Sequence, residues 1–188
     1  MNLDFIAAGI IGVAAGLVWG GRLGDLGRIP WRWPLLLVLA LAVRTVAQNP
    51  PPHLDAIFPG IFVASSLVFI AWIIWHAGIL NGFWLIALGT GLNLTVIVVN
   101  GGHMPLEHAI AQTTAPELAH GPLGGYIEAG PATMLAWLDD WLRISWFDNT
   151  PLDLAFSPGD VVIAVGLAAV GFEATRYASR SSKAATRT

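Results

Sequence analysis

Five apolar stretches, each near the length that crosses a lipid bilayer, constrain this chain more than any other feature of its sequence. A helix needs roughly 20 consecutive apolar residues to span the bilayer core, within a range of about 17–25. Of the 188 residues, 55% are hydrophobic and only 11% are charged, whereas a soluble domain carries about 25% charged residues. Because backbone groups in lipid must be hydrogen-bonded within the segment, the stretches are predicted to be helices. The predicted spans cover about 3–20, 33–47, 57–79, 83–99 and 160–177.

The predicted fold class is therefore all-α: an integral membrane helical bundle of five transmembrane helices, with short outer helices between spans four and five. Residues 1–178 are predicted to form a single transmembrane helical domain, with residues 100–156 as its extracytoplasmic segment. Residues 179–188 are small, polar and basic, which predicts a disordered cytoplasmic tail.

The basic residues predict the orientation of the bundle. The loop between spans one and two holds three basic residues, and the C-terminal segment from Arg176 onward holds four, so together they hold seven of the nine. In a five-span protein these two segments lie on the same side of the membrane. Basic loops remain cytoplasmic, so the N-terminus is predicted to lie outside and the C-terminus inside. The seven residues are Arg22, Arg28, Arg32, Arg176, Arg180, Lys183 and Arg187.

Composition also excludes several classes of function. The net charge of −3 argues against nucleic acid as a partner, because nucleic-acid binding requires a basic face. The absence of cysteine excludes disulfides, thiolate nucleophiles and iron–sulfur clusters. The sequence contains no nucleophile-elbow motif and no paired acids within a span. We therefore predict that the chain is not an enzyme and holds no cofactor. His76 has no histidine partner at its level, so it could ligate a single pigment, but an interfacial role is the favoured interpretation.

A ladder of glycines in span one predicts close helix packing. Gly12, Gly16 and Gly20 recur every four residues, and such small residues let a neighbouring helix approach the backbone. The neighbour is either another helix of this chain or a helix of a partner or second copy.

A turn and a helix start flank the outer segment. Asn100, Gly101 and Gly102 end span four, where glycine adopts left-handed dihedral angles without strain. Pro105 then suits the first turn of a short helix. The alternative interpretation of this turn is a nest of backbone N–H groups for an anion or a lipid headgroup.

Ser157, Pro158 and Asp160 have the spacing of a helix N-cap, a proline in the first turn and an acid at the third helical position. This spacing predicts a capping box at the start of span five. Thr114 with Glu117, and Thr150 with Asp153, repeat the spacing and predict further short helices.

Residues 134–143 predict an amphipathic helix on the outer leaflet or against the bundle. Asp139 and Arg143 lie off its apolar stripe and are spaced to form an ion pair on a helix. The stripe consists of Met134, Trp137, Leu138, Trp141 and Leu142.

Two sets of polar residues have alternative interpretations. The outer segment holds enough side-chain donors for a zinc ion, but it has no recognised ligand motif, so we predict no metal site. The residues that would be candidate ligands are His103, His108, His120, Glu107 and Glu117. Arg44 is the only basic residue in a span away from the cytoplasmic side, where Arg176 ends span five. It either extends to the membrane surface or pairs with Asp160 or the Asn100 turn.

Three stretches together resemble an uncharacterised family of bacterial multi-spanning membrane proteins of unknown function. They are residues 20–23 (GGRL) leading into Trp33-Pro34, residues 100–105 (NGGHMP) and residues 157–160 (SPGD). The resemblance implies a protein of the bacterial plasma membrane, and it implies no activity or catalytic residue.

These features favour a non-catalytic structural or accessory subunit of a larger membrane complex. Its partners would be membrane lipids and either other membrane proteins or a second copy of the chain. The alternative is a protein that binds or transports a small molecule or lipid, with its site under the extracytoplasmic cap.

Overall fold

The computed structural model describes residues 3–48, 57–144 and 154–178, and most of them are helical, as predicted. Three short 3-10 helices lie between the regular elements, at Leu23–Arg28, Pro116–His120 and Ala136–Leu138. The α-helices are α1 (Leu3–Val18), α2 (Pro34–Gln48), α3 (Phe58–His76), α4 (Gly82–Val99), α5 (His108–Thr114) and α6 (Pro158–Ala174). The strands are β1 (Met104–Leu106), β2 (Tyr126–Glu128), β3 (Leu142–Ile144) and β4 (Leu154–Phe156).

Two of the five predicted spans meet the length and composition expected of a membrane-crossing helix among the described residues. They are α3, with 19 residues, and α4, with 18 residues. The helices α1 and α2 are apolar but shorter, with 16 and 15 residues.

Glycines join α1 to α6, the helix of the fifth predicted span. A Cβ added at Gly12 would lie 2.7 Å from Ala168 Cα, and one at Gly16 would lie 2.9 Å from the carbonyl oxygen of Phe172. The two helices therefore run parallel, and their backbones touch. Gly20 does not belong to this contact: its φ is +84° and nothing lies within 4 Å of an added Cβ, so it serves the turn that ends α1.

A second glycine contact joins α6 to α4. A Cβ at Gly82 would lie 2.6 Å from the backbone nitrogen of Val170, and one at Gly89 would lie 2.9 Å from that of Ile163. These contacts make α4 and α6 antiparallel. The helix α6 is thus held between α1 and α4 by backbone-to-backbone packing on two sides.

The segment after α4 differs from the prediction of short helices. The Asn100 turn is confirmed, with Gly101 and Gly102 at φ values of +73° and +93°. Pro105, however, lies in β1, which pairs in parallel with β2. The helix that follows begins at His108 instead, with Glu107 as its N-cap. Local spacing at the proline did not reveal this, because its partner in the strand pair, Ile127, lies 22 residues away.

The predicted amphipathic helix over residues 134–143 is also wrong. Leu135 has a φ of +57°, and only Ala136–Leu138 form a helical turn. The backbone N–H of Asp140 donates to the carbonyl of Pro105 at 3.1 Å, and its carbonyl accepts from the N–H of Glu107 at 3.2 Å. The backbone is thus paired with the β1 region and cannot continue as a helix. The Asp139–Arg143 helical spacing is lost with it.

Of the three predicted helix starts, only one is seen as predicted. Ser157 and Asp160 form a complete capping box at the start of α6. At Pro116–His120 the N-cap is Ala115, with no side-chain cap. Thr150 and Asp153 lie outside the described residues.

The end of the bundle opposite the segment after α4, which we call the arginine end, is held together by hydrogen bonds from backbone N–H groups. The Arg22 N–H donates to the carbonyl of Thr175 at 2.7 Å, and the Ala178 N–H donates to Asp25 Oδ2 at 3.1 Å. The Gly82 N–H donates to Glu173 Oε2 at 3.3 Å. The ends of α1 and α6 and the start of α4 therefore share this level. Residues 100–144 and 154–156 cover the other end and are called the cap.

Candidate functional site

Polar side chains from the bundle and from the cap meet where the two join. The bundle contributes residues of α2, α4 and the start of α6, and the cap contributes residues of β2 and of the turn before β3. We call this set the outer polar cluster: Arg44, Asn93, Tyr126, Asp139, Asp140, Ser157 and Asp160.

The capping box also joins α4 to α6 within the outer polar cluster. Asn93 Nδ2 donates to Asp160 Oδ1 at 2.8 Å, and Ser157 Oγ donates to Asn93 Oδ1 at 2.9 Å. The N–H of Ser157 donates to the second oxygen of Asp160 at 3.1 Å. Gly159 permits this approach, because a Cβ there would collide with the Asn93 amide. Four polar groups are thus satisfied where helices meet.

Arg44 faces aromatic rings on α3. Its guanidinium carbon lies 5.1 Å from the centre of the Phe62 ring and 5.9 Å from that of Phe69, within the range of cation–π attraction. Asp160 and Tyr126 are near enough to interact with its charge. Arg44 and Asp160 form no ion pair within 4 Å in the described structure, so pairing with Asp160 and extension to the membrane surface both stay predictions. Asn100 bonds Met134 instead.

Asp139 and Asp140 are the most unusual members of the cluster. Their relative exposures are 3% and 5%, and one oxygen of each carboxyl group is buried without a hydrogen-bond partner among the described residues. Burial, then Asp160 and then Asp139, raises the pKa of Asp140 to about 8. Burial and then Glu107 raise the pKa of Asp139 to about 6. Buried acids with spare acceptor oxygens are suited to bind protons or cations.

Tyr126 lies against the same charges. Its residue is 38% exposed, yet burial raises the pKa of its phenol, and the charges of Asp140 and Asp160 raise it further. No local pattern indicated Tyr126 or Asp140, and Asp139 was predicted to lie on the polar side of a surface helix. The capping motif was the one local signal that marked this site.

The metal candidates do not converge. His108 Nδ1 bonds Glu128 and its Nε2 lies 2.8 Å from Gln112 Nε2, while Glu107 accepts the N–H of Ile110 at 3.1 Å. His120 and Glu117 lie on the 3-10 helix Pro116–His120, and His103 lies just before β1. Within the described parts of the chain, no three His, Asp or Glu side chains are grouped so that they could hold a metal ion.

His76 belongs to an aromatic cluster at the arginine end. It is 1% exposed and its ring stacks on Trp72, with centroids 3.8 Å apart. Its Nε2 accepts the N–H of Arg32 at 3.1 Å, and its Nδ1 lies 2.8 Å from the carbonyl oxygen of Trp72. These contacts assign the proton to Nδ1. Since both ring nitrogens are used within the chain, the residue is placed for structure and not for ligating a pigment.

A shallow apolar groove of about 400 Å³ runs between α3 and α4 near the cap. Gly60 and Ala64, one turn apart, line it together with Leu67 and Val98. No atom lies within 4 Å of a Cβ added at Gly60. This glycine is therefore open, unlike Gly12 and Gly16.

The arrangement defines a mostly helical protein with two helices that meet the requirements for a membrane span, and with a buried acidic cluster at one end. The chain belongs to the family of unknown function DUF5317, whose model matches residues 28–171. Membership in an uncharacterised family was predicted, and residues 33–34, 100–105 and 157–160 lie within the match. Neither a search of curated proteins nor a search of solved structures found a match.

Proposed function

We propose that the chain is a bacterial plasma-membrane protein whose five long helices, α1 to α4 and α6, all cross the bilayer. The distribution of side chains supports this, because Ser66, Thr90 and Asn93 are buried while large apolar residues point outward. A soluble protein has the reverse arrangement. Among the outward residues are Ile11, Val18, Leu35, Leu39, Leu67, Leu88 and Val165.

The helix directions support five spans rather than two. The helices α1 and α6 are parallel and α4 is antiparallel to both, as in a chain that crosses five times. Arg22, Arg28, Arg32 and Arg176 belong to segments at the arginine end. By the positive-inside rule that end is cytoplasmic, with the N-terminus outside and the C-terminus inside.

For the activity, we propose that the outer polar cluster binds a small cation between the cap and the bundle, the proton being the simplest case. The observation that carries this proposal is the pair of buried carboxyl oxygens on Asp139 and Asp140 without partners in the described structure. An ammonium ion would donate hydrogen bonds to them, and a proton would neutralise one of the two acids. In this proposal the chain binds the cation and catalyses no reaction.

The experiment measures thermal stability of the detergent-purified chain in ammonium, calcium or bulky tetraethylammonium chloride at equal ionic strength, and separately across pH. We expect stabilisation by ammonium or by protons relative to tetraethylammonium, because a ligand bound only by the folded state stabilises it. A response to calcium alone would indicate a divalent site and contradict the ammonium class. Identical melting in all salts and at every pH would contradict cation binding altogether.

A second role, as an accessory subunit of a larger membrane complex, is favoured by the open groove at Gly60 and Ala64. Helix association in lipid depends on close packing of small residues, and no described part of the chain covers this face. Native mass measurement after mild extraction tests this role. A stable complex with another membrane protein or a second copy supports it, and a lone chain contradicts it.

A further inference from the structure

The cap holds an uncharged segment, residues 129–138, that is fixed to the end of α4. Asn100, the first residue after α4, donates from Nδ2 to the carbonyl oxygen of Met134 at 2.9 Å. Its Oδ1 accepts the Met134 N–H, also at 2.9 Å. One side chain thus fixes both backbone groups of Met134, in the manner of a strand pair. The segment therefore lies at the level where α4 leaves the apolar layer of the bundle.

Two leucines of this segment pack against the apolar core of the bundle. Leu138 is 4% exposed and belongs to an apolar cluster with residues at the cap ends of α2, α3 and α4. Leu135 packs against the same cluster. Because Leu135 has left-handed backbone angles, the chain reverses there and the neighbouring side chains turn away from the core.

Three large side chains are left facing outward. Met134 is 55%, Trp137 66% and Trp141 46% exposed, and Trp141 Nε1 donates to the carbonyl oxygen of Trp137 at 3.0 Å. No charged residue occurs from Ala129 to Leu138. Indole rings with a hydrogen-bonded edge and an apolar face are typical of the boundary between lipid headgroups and acyl chains.

We infer that residues 129–141 form an interfacial anchor, in which Met134, Trp137 and Trp141 insert into the outer-leaflet surface of the bilayer. The occupant of this apolar face is lipid, because Asn100 holds the segment at the end of a helix that has the length and composition of a span. The anchor rests on the proposed membrane location. It would hold the cap flat on the membrane and so keep the outer polar cluster covered.

The test uses the absence of cysteine in the chain. Met134→Cys and Trp137→Cys are each labelled with an environment-sensitive fluorophore in nanodiscs of phosphatidylcholine and phosphatidylglycerol. Quenching is measured with aqueous iodide and with two nitroxide lipids, one labelled near the headgroup and one labelled deep in the acyl chain. Leu88→Cys, outward-facing in the middle of α4, is the lipid control, and Gln112→Cys, exposed in the cap, is the water control.

We expect both anchor positions to be quenched by the headgroup-labelled lipid, and to have iodide quenching constants severalfold lower than that of Gln112→Cys. If they behave like Gln112→Cys while Leu88→Cys is quenched by lipid, the anchor is wrong and the membrane location stands. If they are shielded from both quenchers, protein covers the face and the lipid occupant is wrong. If Leu88→Cys is itself quenched by iodide like Gln112→Cys, the membrane location and the anchor both fail.

Discussion

Replacing Gly12 by leucine is expected to prevent α1 from packing on α6 and to destabilise the bundle strongly. Even the Cβ of alanine would lie 2.7 Å from both the carbonyl carbon and the Cα of Ala168, and backbone atoms cannot move aside as a flexible side chain can. Overpacking of a filled core costs about 1–3 kcal/mol or more. We expect Gly12→Ala to lose stability within that range and Gly12→Leu to yield little folded protein, measured by size exclusion and thermal unfolding in detergent.

Gly91 is the matched control, because it lies within α4 and nothing is found within 4 Å of an added Cβ. Gly91→Ala should be neutral or slightly stabilising, since alanine is the better helix former by about 1 kcal/mol. Equal melting temperatures for Gly12→Ala and Gly91→Ala would contradict the α1–α6 contact.

Asp140→Asn is expected to remove most of the dependence of the chain's stability on pH. The pKa of Asp140 is raised from 3.8 to about 8 in the folded state, so between these values the folded protein binds a proton that the unfolded chain releases. Stability therefore falls as pH rises through this window. Each pKa unit is worth about 1.4 kcal/mol, so the full loss amounts to several kcal/mol.

The asparagine mimics the protonated acid and carries no charge at any pH. The variant should match the wild type near pH 4 and be clearly more stable near pH 9, as measured by thermal unfolding. Asp139→Asn is the comparison, since its pKa is raised only to about 6 and its effect should be complete near that pH. Parallel pH profiles for the wild type and Asp140→Asn would show that Asp140 is not the titrating group. If ammonium still stabilises Asp140→Asn, the cation does not bind at this residue.

Local patterns predicted the parts of the fold that local physics determines. Apolar length predicted the helices, and Ser157 with Asp160 predicted the start of α6, because a capping box depends only on residues three positions apart. Gly12 and Gly16 predicted a close contact, although not which helix provides it. The partner depends on Ala168 and Phe172, whose role only the bundle geometry reveals.

The cap was mispredicted because its structure depends on distant pairing. The spacing of Met134, Trp137 and Trp141 fits a helix, but Asn100 and Pro105 bind the backbone of this segment from more than 30 residues away. That pairing also turns Asp139 and Asp140 inward, against the usual exposure of adjacent acids. The outer polar cluster could not be inferred from the sequence, since no local pattern brings Tyr126 to Asp160.

Labelling with a membrane-impermeant maleimide tests most directly whether the chain crosses the bilayer five times. Gly24→Cys lies in open space at the arginine end, and Gln112→Cys is exposed in the cap. With five spans, three helices separate the two positions. In intact cells we predict labelling of Gln112→Cys only, with Gly24→Cys labelled after the membrane is permeabilised. If only α3 and α4 cross the bilayer, both positions lie on one side, and identical labelling of the two variants would contradict the five-span topology.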